Sequence, residues 1–286
     1  MKQLIITADD YGLCDSVNRA IETCLAAGAM RSTCVMTNMA AYAGAAALRK
    51  RFPDASIGIH WTLTQGQSVL SPQEIPTLVN AAGEFFTLAE LRRRVLRRQV
   101  DPMHLQAELI AQYQRLADLI GPVGFWNTHQ NVHVSPGLFQ ICVSIGRKLG
   151  IPAMRCHRRI TAPRQGTVRA YHLRHPFYWV KGQVIDWWSS RAARQGMLMP
   201  AGIISTPGYG VGKAAIEDFV PCISWTNIRQ AAELIIHPAT TIVTELFGQL
   251  GESRLREYAI FRDPQLKERL VHMGITPVGF EVLNRC

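Results

Sequence analysis

No apolar run in this 286-residue chain approaches the roughly 20 residues that a helix needs to cross a bilayer. The start, Met1-Lys2-Gln3, leads straight into a strand-like run and lacks the pattern of a signal peptide. These two absences set a cytoplasmic protein as the expectation. No Cys-x-x-Cys pair occurs, and the cysteine count, seven, is odd. That argues against a disulfide framework or a cysteine zinc site, and most of the cysteines read as small core residues. The chain also lacks a Gly-rich phosphate cradle, a nucleic-acid motif, and any stripe of alternating basic and aromatic residues. Phosphoryl chemistry and nucleic acid are therefore poor candidates. There is no internal repeat and no clear linker. Charged residues make up only 18% against 48% hydrophobic, which describes a globular chain with a large core.

The net charge is +10, and much of it sits in Arg92-Arg93-Arg94 and Arg97-Arg98. The ordinary explanation is a solvated helix face. The functional alternative is attraction to anionic lipid, with the chain peripheral to the inner membrane.

Strand-like and helix-like stretches alternate. Leu4–Ile6 reads as a strand buried on both faces. Ser16–Ala29 has apolar residues at helical spacing, with Asp15 or Ser16 as its cap and Gly28 at its end. Ser32–Met36, Ala55–Leu63, Gly124–Thr128 and Ile151–Arg155 read as strands. Ala40–Arg51, Leu88–Val100, Met103–Ile120 and Pro136–Leu149 read as helices. This repeated βα pattern predicts α/β architecture around a parallel sheet or barrel. Residues 157–212 are less regular and read as an insertion, a lid or a substrate wall.

Four places carry carboxylates or histidines after strand-like runs: Asp9-Asp10, His60, His129 with His133, and His237. In parallel α/β folds, chemistry collects at the carboxyl ends of strands. Adjacent carboxylates repel unless a cation or a shared proton neutralises them. Imidazole and carboxylate are the standard ligands of a catalytic divalent metal. Each feature alone has an ordinary explanation. Asp9-Asp10-Tyr11-Gly12 suits a turn, His60 suits a satisfied core histidine, and His129 and His133 suit either one helix face or a loop before Pro136. Their joint position at strand ends favours a site.

The same residues resemble a known family. Thr7-Ala8-Asp9-Asp10-Tyr11-Gly12, Gly58-Ile59-His60-Trp61-Thr62-Leu63, Asn127-Thr128-His129 through Pro136, and Glu233-Leu234-Ile235-Ile236-His237-Pro238 are similar, in order, to the motifs of YdjC-like carbohydrate deacetylases. Pro72 to Val79 and the following Gly83-Glu84-Phe85 resemble the hopanoid-biosynthesis branch. The departures are Asn131 in place of a family histidine, Trp61 at a more often aliphatic position, and Thr206–Gly210.

The resemblance implies a single domain over 1–286, a distorted (β/α) barrel of the polysaccharide-deacetylase type. It implies removal of an N-acetyl group from an amino sugar, with N-acetylglucosamine on a hopanoid lipid ahead of soluble chitooligosaccharide. A non-catalytic, metal-retaining sugar-binding protein is the rival of another class. Carried over by position, Asp10, His60 and His129 bind one divalent metal ion. Asp9 is the base, and His133 or His237 the general acid. The family implies magnesium, whereas two imidazoles and a carboxylate suit zinc by ligand softness. Implied partners are an N-acetylated sugar or glycolipid, a peripheral membrane contact and a homodimer.

Overall fold

Alternation along the strands sorts the chain into an apolar outer face and an inner face that changes character partway up. The computed structural model describes residues 2–160, 176–204 and 231–285. Among them, nine strands form one sheet: β1 Lys2–Tyr11, β2 Ser32–Val35, β3 Ser56–Trp61, β4 Phe125–Thr128, β5 Ala153–Met154, β6 Arg159–Ile160, β7 Ile203–Ile204, β8 Ala232–Ile236 and β9 Ile275–Val278. Their order is β5-β4-β3-β2-β1-β8-β7-β6, with β9 beside β1, and every pairing is parallel. The expected α/β barrel architecture is present as a half-barrel.

β1 is the organising strand. β8 takes one edge over Leu4–Ala8. The other edge is shared between β9, over Lys2–Ile5, and β2, from Thr7 onward. On the outer face Leu4, Ile6, Ile57, Ile59, Trp61, Trp126, Leu234 and Ile236 join the main core. On the inner face Ile5, Cys34, Phe125, Ala153 and Ala231 form a second apolar cluster, closed by Phe280 and Leu283 of the C-terminal turn. Phe280 stacks on Phe125 at 3.8 Å. Two residues beyond this apolar layer, the inward positions become His60, Asn127, Arg155 and Glu233, all buried. A packed floor thus carries a polar layer above it.

The helices α1 Asp15–Ala26, α2 Ala45–Arg51, α3 Leu88–Leu96, α4 Pro102–Ile120 and α5 Phe139–Lys148 come between the strands. Several boundaries differ from expectation. The residue capping α1 is Cys14, without a side-chain hydrogen bond, because Ser16 is engaged elsewhere. Its hydroxyl donates to Thr241 O and accepts from Thr241 N, both at 2.9 Å. Gly28 does follow the helix, at φ +85°. The 40–51 stretch divides into a 3-10 turn, Tyr42–Gly44, and α2. α3 ends at Leu96, and Arg98 takes a left-handed backbone just beyond. Arg92, Arg93, Arg97 and Arg98 are exposed, as a solvated face requires, and Arg93 and Arg94 pair with Glu90.

Within 157–212, the described residues include β6, a helix over Pro176–Arg194, and β7. The two short strands extend the sheet. Trp187 is exposed and Trp188 stacks on Phe139 at 5.1 Å. His172, His175 and Thr206–Gly210 lie outside the described residues. Among the described residues, no helix is long and apolar enough to cross a membrane.

Gly58 shows why the second motif opens on glycine. A Cβ there would lie 2.7 Å from the Phe125 ring and from the Phe125 carbonyl. Gly58→Ala should push β4 away from β3 and destabilise the fold by about 1–3 kcal/mol, the usual range for overpacking. Urea melts with an unchanged midpoint would show that the β3–β4 spacing is not so tightly set.

Candidate active site

The aspartate pair owes its geometry to an irregularity in β1. Pairing with β2 runs Thr7↔Ser32, Ala8↔Thr33, then Tyr11↔Val35, so Asp9 and Asp10 face the single residue Cys34. A two-against-one bulge re-aims a side chain. It lets consecutive carboxylates reach the same cleft where a regular strand would send them to opposite faces. Asp10 carries the irregularity at φ +72°, a conformation that costs an L-residue about 1–2 kcal/mol and that Asp tolerates better than most. The strand therefore does not run out before the pair; it continues through Asp9-Asp10 to Tyr11.

Asp9 is buried against Arg155, whose Nη1 and Nη2 each donate to it at 2.7 Å. The same guanidinium donates to Glu233 at 3.1 and 2.9 Å. Burial alone would raise the Asp9 carboxyl, but Arg155, with His60 and His237, outweighs it and holds the group well below the usual carboxylate range. Glu233 moves the other way, because burial outweighs its share of Arg155. Cys34 Sγ lies 3.2 Å from Asp9 Oδ1 and 3.3 Å from His60 Nδ1. Burial pushes its thiol up to about 11, so it stays neutral. One of the presumed core cysteines thus borders the site.

Asp10 has its own cation. Arg254 Nη2 donates to Oδ2 at 2.5 Å. Oδ1 lies 3.3 Å from His60 Nε2 and 3.2 Å from His129 Nδ1. Oδ1 is nevertheless buried without a partner of hydrogen-bond geometry. The three atoms lie within 4.8 Å of one another, and such a group could hold a metal ion. Asp9, Cys34 and His60 form a second, overlapping group of the same kind. The donor set fits a divalent cation. Among the groups described, three carboxylates (Asp9, Asp10 and Glu233) face two guanidiniums, Arg155 and Arg254.

The two other expected site histidines part company. His133 follows His129 through a 3-10 turn in which Gln130 and Asn131 both have left-handed backbones. The turn breaks the i, i+4 relation and folds His133 away from the cleft. Its Nδ1 lies 2.6 Å from Thr128 Oγ1, and its ring packs against Trp126 and His157. It is fully buried, and burial, then the nearby His157 and Arg155, lowers its pKa well below the usual histidine value. His237 instead reaches the cleft, with Nε2 3.8 Å from Asp9 Oδ2, and its backbone N–H donates to Glu257 Oε2.

Asp9, Asp10, His60, His129, Arg155, His237 and Arg254 line an open cleft of about 420 Å³. Gln65, Gln130 and Asn131 supply polar wall; Ile203, Ile204, Ile235, Leu246, Phe247 and Leu250 supply apolar wall. The residues that sequence reasoning missed are Arg155, Arg254 and Cys34. Arg155 had a signal: like the others, it follows a strand-like run. Arg254 had none, because it reaches in from a helix.

A profile of YdjC-like proteins matches residues 3–272. A carbohydrate deacetylase of Geobacillus stearothermophilus is 26% identical over 277 residues, covering 96% of each chain. A chitooligosaccharide deacetylase of Serratia marcescens is 31% identical over 152 residues, or 53% of this chain and 58% of its own. Against such relatives the alignment spans little more than half their length. A crystal structure from Enterococcus faecalis V583, named for cellobiose-phosphate cleavage, superposes with a TM-score of 0.71 at 22% identity, over 99% of this chain and 98% of that one. That likeness concerns the fold.

Removing Arg155 tests the electrostatic core. Arg155→Leu leaves Asp9 and Glu233 buried without their shared cation, and breaking a buried pair this way costs about 3–5 kcal/mol. The sign of the pH dependence follows from Asp9. Its folded pKa is depressed, so the stability it contributes is present above its unfolded value of about 3.9 and is lost as pH falls towards the folded value. Urea midpoints should fall more steeply on acidification below about pH 4 in the parent than in the variant. A variant as stable as the parent would show that the ion cluster contributes little.

Proposed function

Because the chain belongs to the YdjC-like protein family, we propose that it is a metal-dependent hydrolase that removes the N-acetyl group from an amino sugar. The observation that carries this is the convergence of Asp10 Oδ1, His60 Nε2 and His129 Nδ1 beside Asp9 in an open cleft. Those three residues would hold the divalent cation. Bound there, it would lower the pKa of a water and polarise the amide carbonyl. Ligand softness favours zinc, cobalt or nickel; the family resemblance implies magnesium.

The rest of the chemistry belongs to the chain's own groups. Arg155 keeps Asp9 ionised and fixes the orientation of its oxygens. Asp9 takes the proton of the attacking water. A carboxylate paired so strongly is a weak base, so the proton passes on readily. The nearest titratable acceptor on the cleft side is His237, 3.8 Å away and partly exposed. Protonated His237 then donates to the leaving amine, which departs as the free amino sugar with acetate as co-product. Burial and a depressed pKa argue against the same role for His133.

For the substrate we favour an N-acetylglucosaminyl group on a lipid such as a hopanoid. The support is the resemblance at Pro72–Val79, the exposed arginines of the 92–98 run, and the apolar residues in the cleft lining, which suit a sugar with an apolar aglycone. Within Pro72–Val79 itself, Ile75, Leu78 and Val79 are buried in the core, and the cleft lining includes none of the stretch. Arginines near an anionic surface would each contribute about 1 kcal/mol to binding there. The relatives named chitooligosaccharide deacetylases favour a second reading, in which the substrate is a soluble oligosaccharide.

Two measurements decide. Asp9→Asn should keep its fold and its bound metal yet lose about 10²–10⁴-fold in acetate release, the usual range for general-base assistance; near-full turnover would remove Asp9 from that role. In competition, N-acetylglucosaminyl-hopanoid in anionic vesicles should be deacetylated faster than chitobiose in solution at equal concentration. Faster release from chitobiose, with no vesicle binding at low salt, would select the soluble substrate. No acetate from either would leave a sugar-binding protein.

A further inference from the structure

The segment that follows β3 is held by one turn of α4. Gln112 of that helix does for Thr62 what a neighbouring strand would do. Its Oε1 accepts from Thr62 N at 2.9 Å and its Nε2 donates to Thr62 O at 2.7 Å. One turn earlier, Glu108 Oε1 accepts from Val69 N and Oε2 from Leu70 N, both at 3.0 Å. Gln112 Nε2 also donates to Glu108 Oε1 at 2.8 Å. Residues four apart on a helix share a face, so the two side chains together pin both ends of the 62–70 segment. Between the pinned ends lies Gln65. Asn38 Nδ2 donates to its carbonyl at 2.9 Å and to that of Gln67 at 3.0 Å. Gly66, at φ +74°, turns the chain directly after it.

This is a demanding way to fill space in a core. Glu108 and Gln112 are fully buried, and among the described residues Glu108 is met by N–H donors and by no ion pair. Burial raises its carboxyl above the usual range, and the donors around it, with the charge of Arg115, pull the other way. A leucine at 108 would pack without that penalty but would leave two loop amides unpaired. The carboxylate therefore serves the loop. The loop in turn carries one polar side chain to the cleft, that of Gln65. Among the described residues, the Gln65 amide makes no hydrogen bond to the protein. It keeps two donors and an acceptor for a ligand, and a sugar hydroxyl, donor and acceptor at once, complements them.

We infer that Gln65 is a specificity-determining residue whose amide hydrogen-bonds a hydroxyl of the bound sugar, and that Glu108 is a positioning residue that holds the 62–70 segment bearing it. This inference rests on the deacetylase reading.

The test uses the full chain, loaded in turn with Zn²⁺ and Mg²⁺, and two substrates, N,N′-diacetylchitobiose and N-acetylglucosaminyl-hopanoid in micelles. Amide hydrogen exchange across 62–70, which needs no substrate, is measured beside acetate release. Gln65→Ala should raise KM about 3–10-fold with kcat unchanged, the scale of one neutral hydrogen bond, and leave the exchange as in the parent. Glu108→Gln keeps the shape but turns an NH₂ against a backbone N–H. It should speed exchange at Val69 and Leu70 about tenfold or more and raise KM as Gln65→Ala does. The double variant should have a KM no higher than Glu108→Gln alone, since both changes remove the same contact. If Glu108→Gln fails to fold, Asn38→Ala, which removes the donor to the Gln65 and Gln67 carbonyls, takes its place in the comparison with the same non-additive result expected. An unchanged KM in Gln65→Ala beside an active parent would overturn the recognition role, whatever happens to kcat. Unaltered exchange in Glu108→Gln, or KM effects that multiply in the double variant, would overturn the positioning role. No acetate from the parent with either metal and either substrate would overturn the deacetylase reading and the role of Gln65 with it.

Discussion

Two consecutive carboxylates in a buried strand are tolerable only if each has its own cation, and that constraint organises the centre of this protein. Arg155 answers Asp9 and Glu233 from β5's side; Arg254 answers Asp10 from the helix Gly251–Phe261. A buried ion pair adds little net stability, since desolvation offsets most of the attraction, but it is strict about geometry. The Asp9 carboxylate has both oxygens engaged by one planar guanidinium, which leaves it little freedom to rotate. What the cluster provides is a fixed orientation for a charged group at the edge of a cleft.

The half-barrel makes such a cluster affordable by stacking it on an apolar floor. Ile5, Phe125, Ala153 and Ala231 lie below; Phe280 and Leu283 seal the floor from the C-terminal turn. One pleat higher the same strands present Asn127, Arg155 and Glu233. The apolar floor closes the layer from beneath, and the cleft opens above it. Metal-ligand candidates and the ion cluster therefore share one wall, with Asp10 common to both.

This layering also separates the histidines by role. His60 stands on β3 and His129 just past the end of the adjacent β4, both within reach of Asp10. His237 stands at the end of β8 on the far side of Asp9. His133 packs beneath, where its neutral ring fills space between Trp126 and His157. Chemical identity is the same in all four; the difference is which level of the wall each backbone segment reaches.

Much of the fold was legible in the sequence. Short apolar runs alternating with helical periodicity specify a parallel α/β sheet, and polar residues placed just past those runs mark where strands end. That is local information, and it located Asp9, Asp10, His60, His129 and His237, with Glu233 inside a quoted motif. What it could not specify is which side chains meet. The bulge at Asp10, the left-handed turn at Gln130-Asn131 that buries His133, the approach of Arg254 from a helix more than 240 residues later, and the place of Cys34 beside Asp9 all depend on strand register and on packing between distant segments. A one-residue change of register leaves periodicity unchanged yet sends every side chain to the other face, so composition and spacing determined the inventory of groups. Only the assembled sheet decided which of them share a charge.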